Sequence, residues 1–331
     1  MFDIPIVLLM FKRDKITQII DRIREVKPKK IYLVCDGGRN DEEWVLVRKC
    51  RELAEKSIDW NCEVVKNYAD ANRGVYANIG EGAKWVFSRE KRAVFLEDDN
   101  LPEVTFFRFC QEMLERYEND RRVLWICGTN YLGKYEPFDG VSYCFTKHML
   151  PCGWASWSEK FLQMYDGNLD GCDNPRIMKN IPKQYLNGAL YRQCRAEWMR
   201  EYRRRVAGKR FVSWDFQMDF SIKANSVYGI CPTLNQIKNI GVDEVSIHGG
   251  NSINAIMTRR FCGMDSYPIK FPLVHPATVL PDEDFESKIG AVILRPLPLR
   301  IRSWINPFVR KLFSIPEGVK TKAYFKHFFH K

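Results

Sequence analysis

Three carboxylates stand in a row at Glu97, Asp98 and Asp99, directly after the apolar run Ala93-Val-Phe-Leu96. Ionised carboxylates this close repel one another and are costly to desolvate. An oxygen-only cluster of this kind suits a hard divalent cation, Mg²⁺ or Mn²⁺, which offsets the repulsion. On an extended backbone Glu97 and Asp99 face one side and Asp98 the other. The competing reading makes Asp99 or Asn100 a cap on a helix that opens at Pro102. Position favours a site, because open α/β sheets bind ligands in the crevice at the carboxyl ends of their strands.

Three further groups carry candidate chemistry. In Asp36-Gly37-Gly38 the acid can accept hydrogen bonds from a ribose or base while glycine lets the backbone approach, although Asp-Gly is also an ordinary turn. In Ser213-Trp-Asp-Phe-Gln217 the acid Asp215 lies between aromatics at the start of a helix. It is either a general base with a raised pKa in a partly dry cleft or part of a cap between core aromatics. His248 follows the loop Asn239-Ile-Gly241 and is either a metal or phosphate ligand or a structural histidine. No G-x-G-x-x-G follows the first strand, and Gly80-Glu-Gly82 lacks the third glycine. The sequence also contains no G-x-x-x-x-G-K-[ST] and no H-E-x-x-H, which excludes dinucleotide, P-loop and zincin chemistries.

The elements that must position these groups alternate over the first 130 residues, as in an α/β layer with a largely parallel sheet. The pattern predicts strands at Ile4–Met10, Lys30–Cys35, Cys62–Val65, Arg92–Leu96 and Val123–Cys127. It predicts a helix capped by Asp14 and carrying Ile16, Ile19, Ile20 and Ile23, and others at Asp41–Lys56, Asn72–Ser88 and Pro102–Tyr117. Beyond Tyr131 the alternation fades into a tryptophan-bearing region with an arginine-rich helix at Tyr191–Val206.

The 331 residues, 45% hydrophobic and 13% aromatic, exclude disorder as the main state. No apolar run reaches the about 18 residues of a membrane span, and no signal peptide is expected. Eleven cysteines without CxxC pairs suit reduced, buried thiols. Of the net charge of +11, +8 falls on Gly290 to Lys331, where nine Lys/Arg face one acid. A nearly neutral body with one basic end argues against a nucleic-acid-binding core.

Taken in order, Phe11-Lys-Arg13, Val34-Cys-Asp-Gly37, Asn72-Arg-Gly74, Phe95-Leu-Glu-Asp-Asp-Asn-Leu-Pro102, Gly153-Trp-Ala-Ser-Trp157, Ser213-Trp-Asp-Phe-Gln217 and Asn239-Ile-Gly241 resemble bacterial GT-A glycosyltransferases. More narrowly, they resemble the hemolytic-protein-like group of nucleotide-diphospho-sugar transferases. The acidic triplet is similar to the Glu-Asp-Asp motif of N-acetylglucosaminyltransferase I. The resemblance covers about residues 4–250. It implies a GT-A-like, Rossmann-like mixed and mainly parallel sheet flanked by helices. It also implies a nucleotide-sugar half over residues 1–130, an acceptor half over 131–265 and a basic aromatic extension over 266–331.

The same resemblance implies a metal-dependent glycosyltransferase that uses a nucleotide-diphospho-sugar, with UDP-sugar the usual donor, and a glycan or lipid-linked acceptor. It places Phe11, Arg13, Asp36, Asn72, Arg73 and Asp98 on the donor. Asp99 and His248 fall on Mn²⁺ or Mg²⁺, and Asp215 becomes the base of an inverting transfer. Gly249-Gly250-Asn251 would form a mobile loop over bound donor. The expected setting is surface polysaccharide or glycoconjugate synthesis, in the cytoplasm or on the inner face of a membrane. A sugar-1-phosphate nucleotidyltransferase is disfavoured because Phe11-Lys-Arg13 lacks a glycine-rich loop, and a non-catalytic membrane or carbohydrate-binding protein is the other alternative. Arg295, Arg300, Arg302, Arg310 and Lys311 interleave with Leu297, Leu299, Ile301, Trp304, Phe308 and Phe313. That mixture suits either an anionic membrane surface or packing on the parent domain.

Overall fold

The computed structural model describes residues 2–242, 258, 261–315 and 324, without the side chains of 303, 304 and 307. They fall into two compact units, Met1–Val292 and Ile293–Lys331.

The first unit is built on an eight-stranded mixed sheet flanked by helices. Its strands are β1 (Ile6–Met10), β2 (Lys30–Cys35), β3 (Glu63–Tyr68), β4 (Arg92–Glu97), β6 (Val123–Cys127), β7 (Tyr143–Thr146), β8 (Trp154–Trp157) and β9 (Tyr228–Pro232). They lie in the order β3-β2-β1-β4-β8-β6-β9-β7. The first four are mutually parallel, and β8 is antiparallel to both β4 and β6. The parallel strands β1, β2 and β4 are apolar along nearly their whole length because helices cover both faces. Each Ile, Val or Leu so buried contributes about 1.5–3 kcal/mol.

The connecting helices of this half are α1 (Ile16–Arg24), α2 (Asp41–Ser57), α3 (Gly82–Phe87) and α4 (Thr105–Arg116). α1 turns Ile16, Ile19, Ile20 and Ile23 onto the sheet at helical spacing. The expected Asp14 cap is absent: no side chain caps α1, and the Asp14 carboxylate instead accepts from Lys49 Nζ at 3.1 Å. α2 is capped by Asn40, whose Oδ1 accepts from the Glu43 N–H at 2.9 Å. The helix expected over Asn72–Ser88 begins later, at Val75, and passes through a π-helical turn at Ala77–Glu81 into α3.

The helix expected from Pro102 starts only at Thr105. Asn100–Pro102 is instead a short strand, β5, paired antiparallel with β10 (Ile237–Asn239). This pairing joins the acidic segment to the Asn239-Ile-Gly241 loop. Asn100 adds a second tie, because its Oδ1 accepts from the Gly153 N–H at 2.8 Å. Further helices are α5 (Ser158–Met164), α6 (Pro175–Asn180), α7 (Gly188–Val206), α8 (Asp215–Asn225) and α9 (Glu283–Ile293).

Stacked aromatics tie the start of α8 to the sheet. The Trp154 ring stacks on Phe95 at 3.8 Å between centroids, on Trp125 at 4.3 Å and on Trp214 at 5.8 Å. All eleven cysteines are free thiols, eight of them buried. The helix α10 (Leu297–Leu312) lies in the second unit. No helix among the described residues is long and apolar enough to cross a membrane.

Candidate functional site

A cavity of about 370 Å³ opens at the carboxyl ends of β1, β2 and β4, the position where a parallel α/β sheet offers its crevice. Leu9 to Arg13 contribute from β1 and the loop after it, Asp36 and Arg39 from beyond β2, and Glu97 to Asp99 from the end of β4. Asn72, Gly74, Val75, Asn78 and Ile79 close one side, with Phe211 and Val212 from the segment before α8.

The acids do not cap the next helix. Asp98 Oδ2 accepts from the Phe11 N–H at 2.8 Å, and its Oδ1 accepts from Arg13 Nη1 at 3.1 Å. The same Arg13 nitrogen donates to Asp99 Oδ2 at 2.5 Å, and Asn100 Nδ2 donates to Asp99 Oδ1 at 2.6 Å. One guanidinium therefore bridges both carboxylates. Burial, and then the neighbouring charges of Asp99, Asp98 and Asp215, push the Glu97 carboxyl well above the usual range. Burial also lifts Asp98, to about 6, against the opposing pull of Arg13.

The Asn239-Ile-Gly241 loop closes over this pair. The Ile240 N–H donates to the Asp99 carbonyl at 2.8 Å, Lys15 Nζ to the Ile240 carbonyl at 2.8 Å and Arg13 Nη2 to the Gly241 carbonyl at 3.3 Å. A Cβ on Gly241 would lie 2.3 Å from Asp99 Oδ2, so only glycine permits this approach.

Asp36 organises the opposite wall. Its Oδ1 accepts from the Arg73 N–H at 2.7 Å and the Gly37 N–H at 2.8 Å. Its Oδ2 accepts from Asn72 Nδ2 and the Gly74 N–H, both at 3.0 Å. The Asn72-Arg-Gly74 turn is thus wrapped around one carboxylate. Arg73 itself is not part of the cavity lining, and its guanidinium lies on Asn78 Oδ1 at 2.7 Å and Asn67 Oδ1 at 3.0 Å. It positions the turn rather than lining the space.

Of the residues singled out in the sequence, Phe11, Arg13, Asp36, Asn72, Asp98 and Asp99 share this cavity. Asp215 lies outside its lining, at the first position of α8, with its carboxylate on Ser213 Oγ. Ser213 Oγ in turn accepts from the Phe216 N–H at 3.2 Å. Asp215 is nonetheless near enough to add its charge to that of Glu97. His248 and the Gly249-Gly250-Asn251 loop lie outside the described residues.

Sequence reasoning missed Glu43, Arg39, Asn78, Phe211 and Val212. Glu43 accepts from Lys12 Nζ at 2.8 Å and from Arg39 Nε at 2.8 Å, holding two cations at the cavity wall. Arg39 foremost, with Lys12 behind it, depresses the Glu43 carboxyl to about 2. No local motif signals these residues, because the loop after β1 meets α2 only in the folded chain.

Among the described residues, no three His, Cys, Asp or Glu side chains converge as a metal-ligand set. The donor chemistry of the acid pair still fits a hard divalent ion. It is oxygen-only, and Arg13 stands on Asp99 as a built-in cation.

No family model matches the sequence, and no curated protein matches it. Among solved structures, similarity extends to the S. aureus protein TarS (residues 1–349), with TM-score 0.35 and 11% identity over 71% of this chain and 59% of that one. A mannosyltransferase from Pyrobaculum calidifontis, in complex with GDP-Man and Mn²⁺, gives 0.34 and 12% over 66% and 68%. A UDP-glucose pyrophosphorylase complexed with UDP-glucose gives 0.33 and 8% over 71% and 93%. Likeness at this level carries no argument about activity, so the functional reading rests on the cavity.

Proposed function

We propose that the protein is a glycosyltransferase that moves a sugar from a nucleotide-diphospho-sugar, with a UDP-sugar as donor, to a glycan or lipid-linked acceptor in surface polysaccharide or glycoconjugate synthesis. The observation that carries this reading is the bridged Asp98–Asp99 pair facing the same cavity as the Asp36-centred turn. Such a cavity offers the Asp36-centred turn to a nucleoside and the cations Lys12 and Arg39 to a diphosphate.

In this reading Asp36 and Asn72 hold the base and ribose end, with the Phe11 ring beside them. Lys12 and Arg39, already drawn together by Glu43, face the diphosphate. Asp98 orients the donor ribose or sugar through Phe11 and Arg13. Asp99 would hold Mn²⁺ or Mg²⁺, with His248 as a further ligand, and the ion would supply Lewis-acid neutralisation of the leaving diphosphate. Asp215 takes the proton from the acceptor hydroxyl as its oxygen bonds to the anomeric carbon. The bond from that carbon to the diphosphate oxygen breaks on the opposite face, and the configuration inverts.

The test is release of free nucleoside diphosphate from a panel of nucleotide-sugars with Mn²⁺. Release that disappears in Asp99→Ala supports the reading. Formation of nucleoside triphosphate from the same donors and pyrophosphate would assign a nucleotidyltransferase instead, and binding without turnover would remove the enzyme reading.

A further inference from the structure

The helix α10 carries an apolar stripe that is largely exposed. Leu297 is 60% exposed, Ile301 45%, Ile305 50%, Phe308 72% and Leu312 77%. At about 100° per residue these five positions fall within an arc of about 80°, so they form one continuous ridge along the whole helix. A soluble surface helix normally turns such a ridge inward.

Charge identifies what the ridge meets. Arg300 and Lys311 flank it on one side and Arg302 on the other, and Arg302 and Lys311 are exposed. Not one acid occurs between Ile293 and Pro316. A second copy of the same helix would bring cations against cations with no carboxylate to pair them, whereas a surface of phosphate headgroups offers the opposite charge along its whole length. The helix has 16 residues and carries four cations, which makes it too short and too charged to span a bilayer.

We propose that α10 lies in the plane of an anionic lipid bilayer, its Leu297–Leu312 ridge sunk among the acyl chains and its arginines and lysine on the headgroups. Ridge and cations together are what interfacial helices need, since apolar burial gives depth and charge gives preference for anionic lipid. Both groups are fixed by the helix itself, so binding requires no donor and stands apart from the enzymatic reading.

The experiment is co-sedimentation of the full chain with vesicles of phosphatidylcholine alone and of phosphatidylcholine mixed with phosphatidylglycerol. The wild-type chain should bind the mixed vesicles about tenfold more tightly, and salt should weaken that binding. Phe308→Ser with Leu312→Ser, both exposed and therefore harmless to a core, should lower binding to the mixed vesicles about tenfold. Arg302→Gln with Lys311→Gln should abolish the preference for phosphatidylglycerol. Equal binding to both vesicles, no binding to either, or undiminished binding by the serine variant would overturn the proposal. So would a wild-type dimer in sedimentation equilibrium that the serine variant dissolves, because a second copy would then cover the ridge.

Discussion

Arg13 Nη1 lies 2.5 Å from Asp99 Oδ2, although the two residues are 86 positions apart. The same nitrogen also reaches Asp98, so the acid pair at the end of β4 is neutralised from the loop after β1. Removing the guanidinium would leave two adjacent carboxylates in a largely buried place, and uncompensated buried charge is costly. Arg13→Met should therefore lower stability by about 2–3 kcal/mol, somewhat less than for a fully buried pair because Arg13 keeps some solvent contact. If the pair also accepts a divalent ion, Mn²⁺ should raise the melting temperature of Arg13→Met more than that of the wild-type protein. Thermal denaturation with and without Mn²⁺ measures both effects, and equal stability of the two proteins would show that the bridge contributes nothing.

The wall built on Asp36 depends on close backbone approach. A Cβ at Gly37 would sit 2.5 Å from the Ala71 carbonyl carbon, with no flexible side chain to give way. Gly37→Ala should push the Asn72–Gly74 turn off the Asp36 carboxylate and weaken nucleoside diphosphate binding at least about tenfold, the equivalent of one charged hydrogen bond. Titration calorimetry with UDP reads this directly, and unchanged affinity would separate the turn from the ligand.

Most of the parallel half was legible in the sequence, and the physical reason is burial on two faces. β2 and β6 match their expected limits because a doubly covered strand is an unbroken apolar run with polar residues at its ends. Pro102 misled, since proline near a helix start is a valid local signal that the β5–β10 pairing overrides. The antiparallel strands β7 and β9 were not resolved from their surroundings, because four or five residues of mixed composition carry no distinctive period. Within the candidate site, the acids and the Asp36-Gly37 turn were visible as residue types. The bridge from Arg13 to the acids and the hold of Glu43 on Lys12 were not, because those contacts span 85 and 31 positions and exist only once the sheet has formed.

In the proposed reaction, Asp215 would separate binding from chemistry. It stands outside the cavity lining, at the head of α8, where Trp214 stacks on Trp154 and fixes the helix start against the sheet. Replacing its carboxylate by an amide keeps size and leaves those stacked rings in place. Asp215→Asn should therefore bind UDP with wild-type affinity while glycosyl transfer falls by a factor of about 10²–10⁴, the usual contribution of a general base. Calorimetry and a product assay on the same preparation check the two halves, and undiminished transfer would remove Asp215 as the base.

His148 gives a stability signature at mildly acidic pH that is independent of the reaction. It is 7% exposed, and its Nε2 lies 3.1 Å from the Glu286 carbonyl oxygen. Burial lowers its pKa to about 4, despite the nearby Glu286 carboxylate that pulls the other way. An unfolded chain binds the proton at about pH 6.5, so between pH 6.5 and pH 4 the unfolded state holds more protons than the folded one. Stability from this group is therefore complete above about pH 6.5 and declines as the pH falls towards 4, by about 3 kcal/mol over the full interval. The carboxyls of Asp219 and Asp98, both raised to about 6 by burial, change stability in the opposite direction over an overlapping range. The wild-type curve alone thus mixes these groups, and the difference between wild type and His148→Gln isolates the histidine. Urea denaturation of both proteins at pH 7.5 and pH 5 should show the wild type losing stability relative to the variant on acidification. A constant difference between them would mean that His148 titrates alike in the folded and unfolded chains.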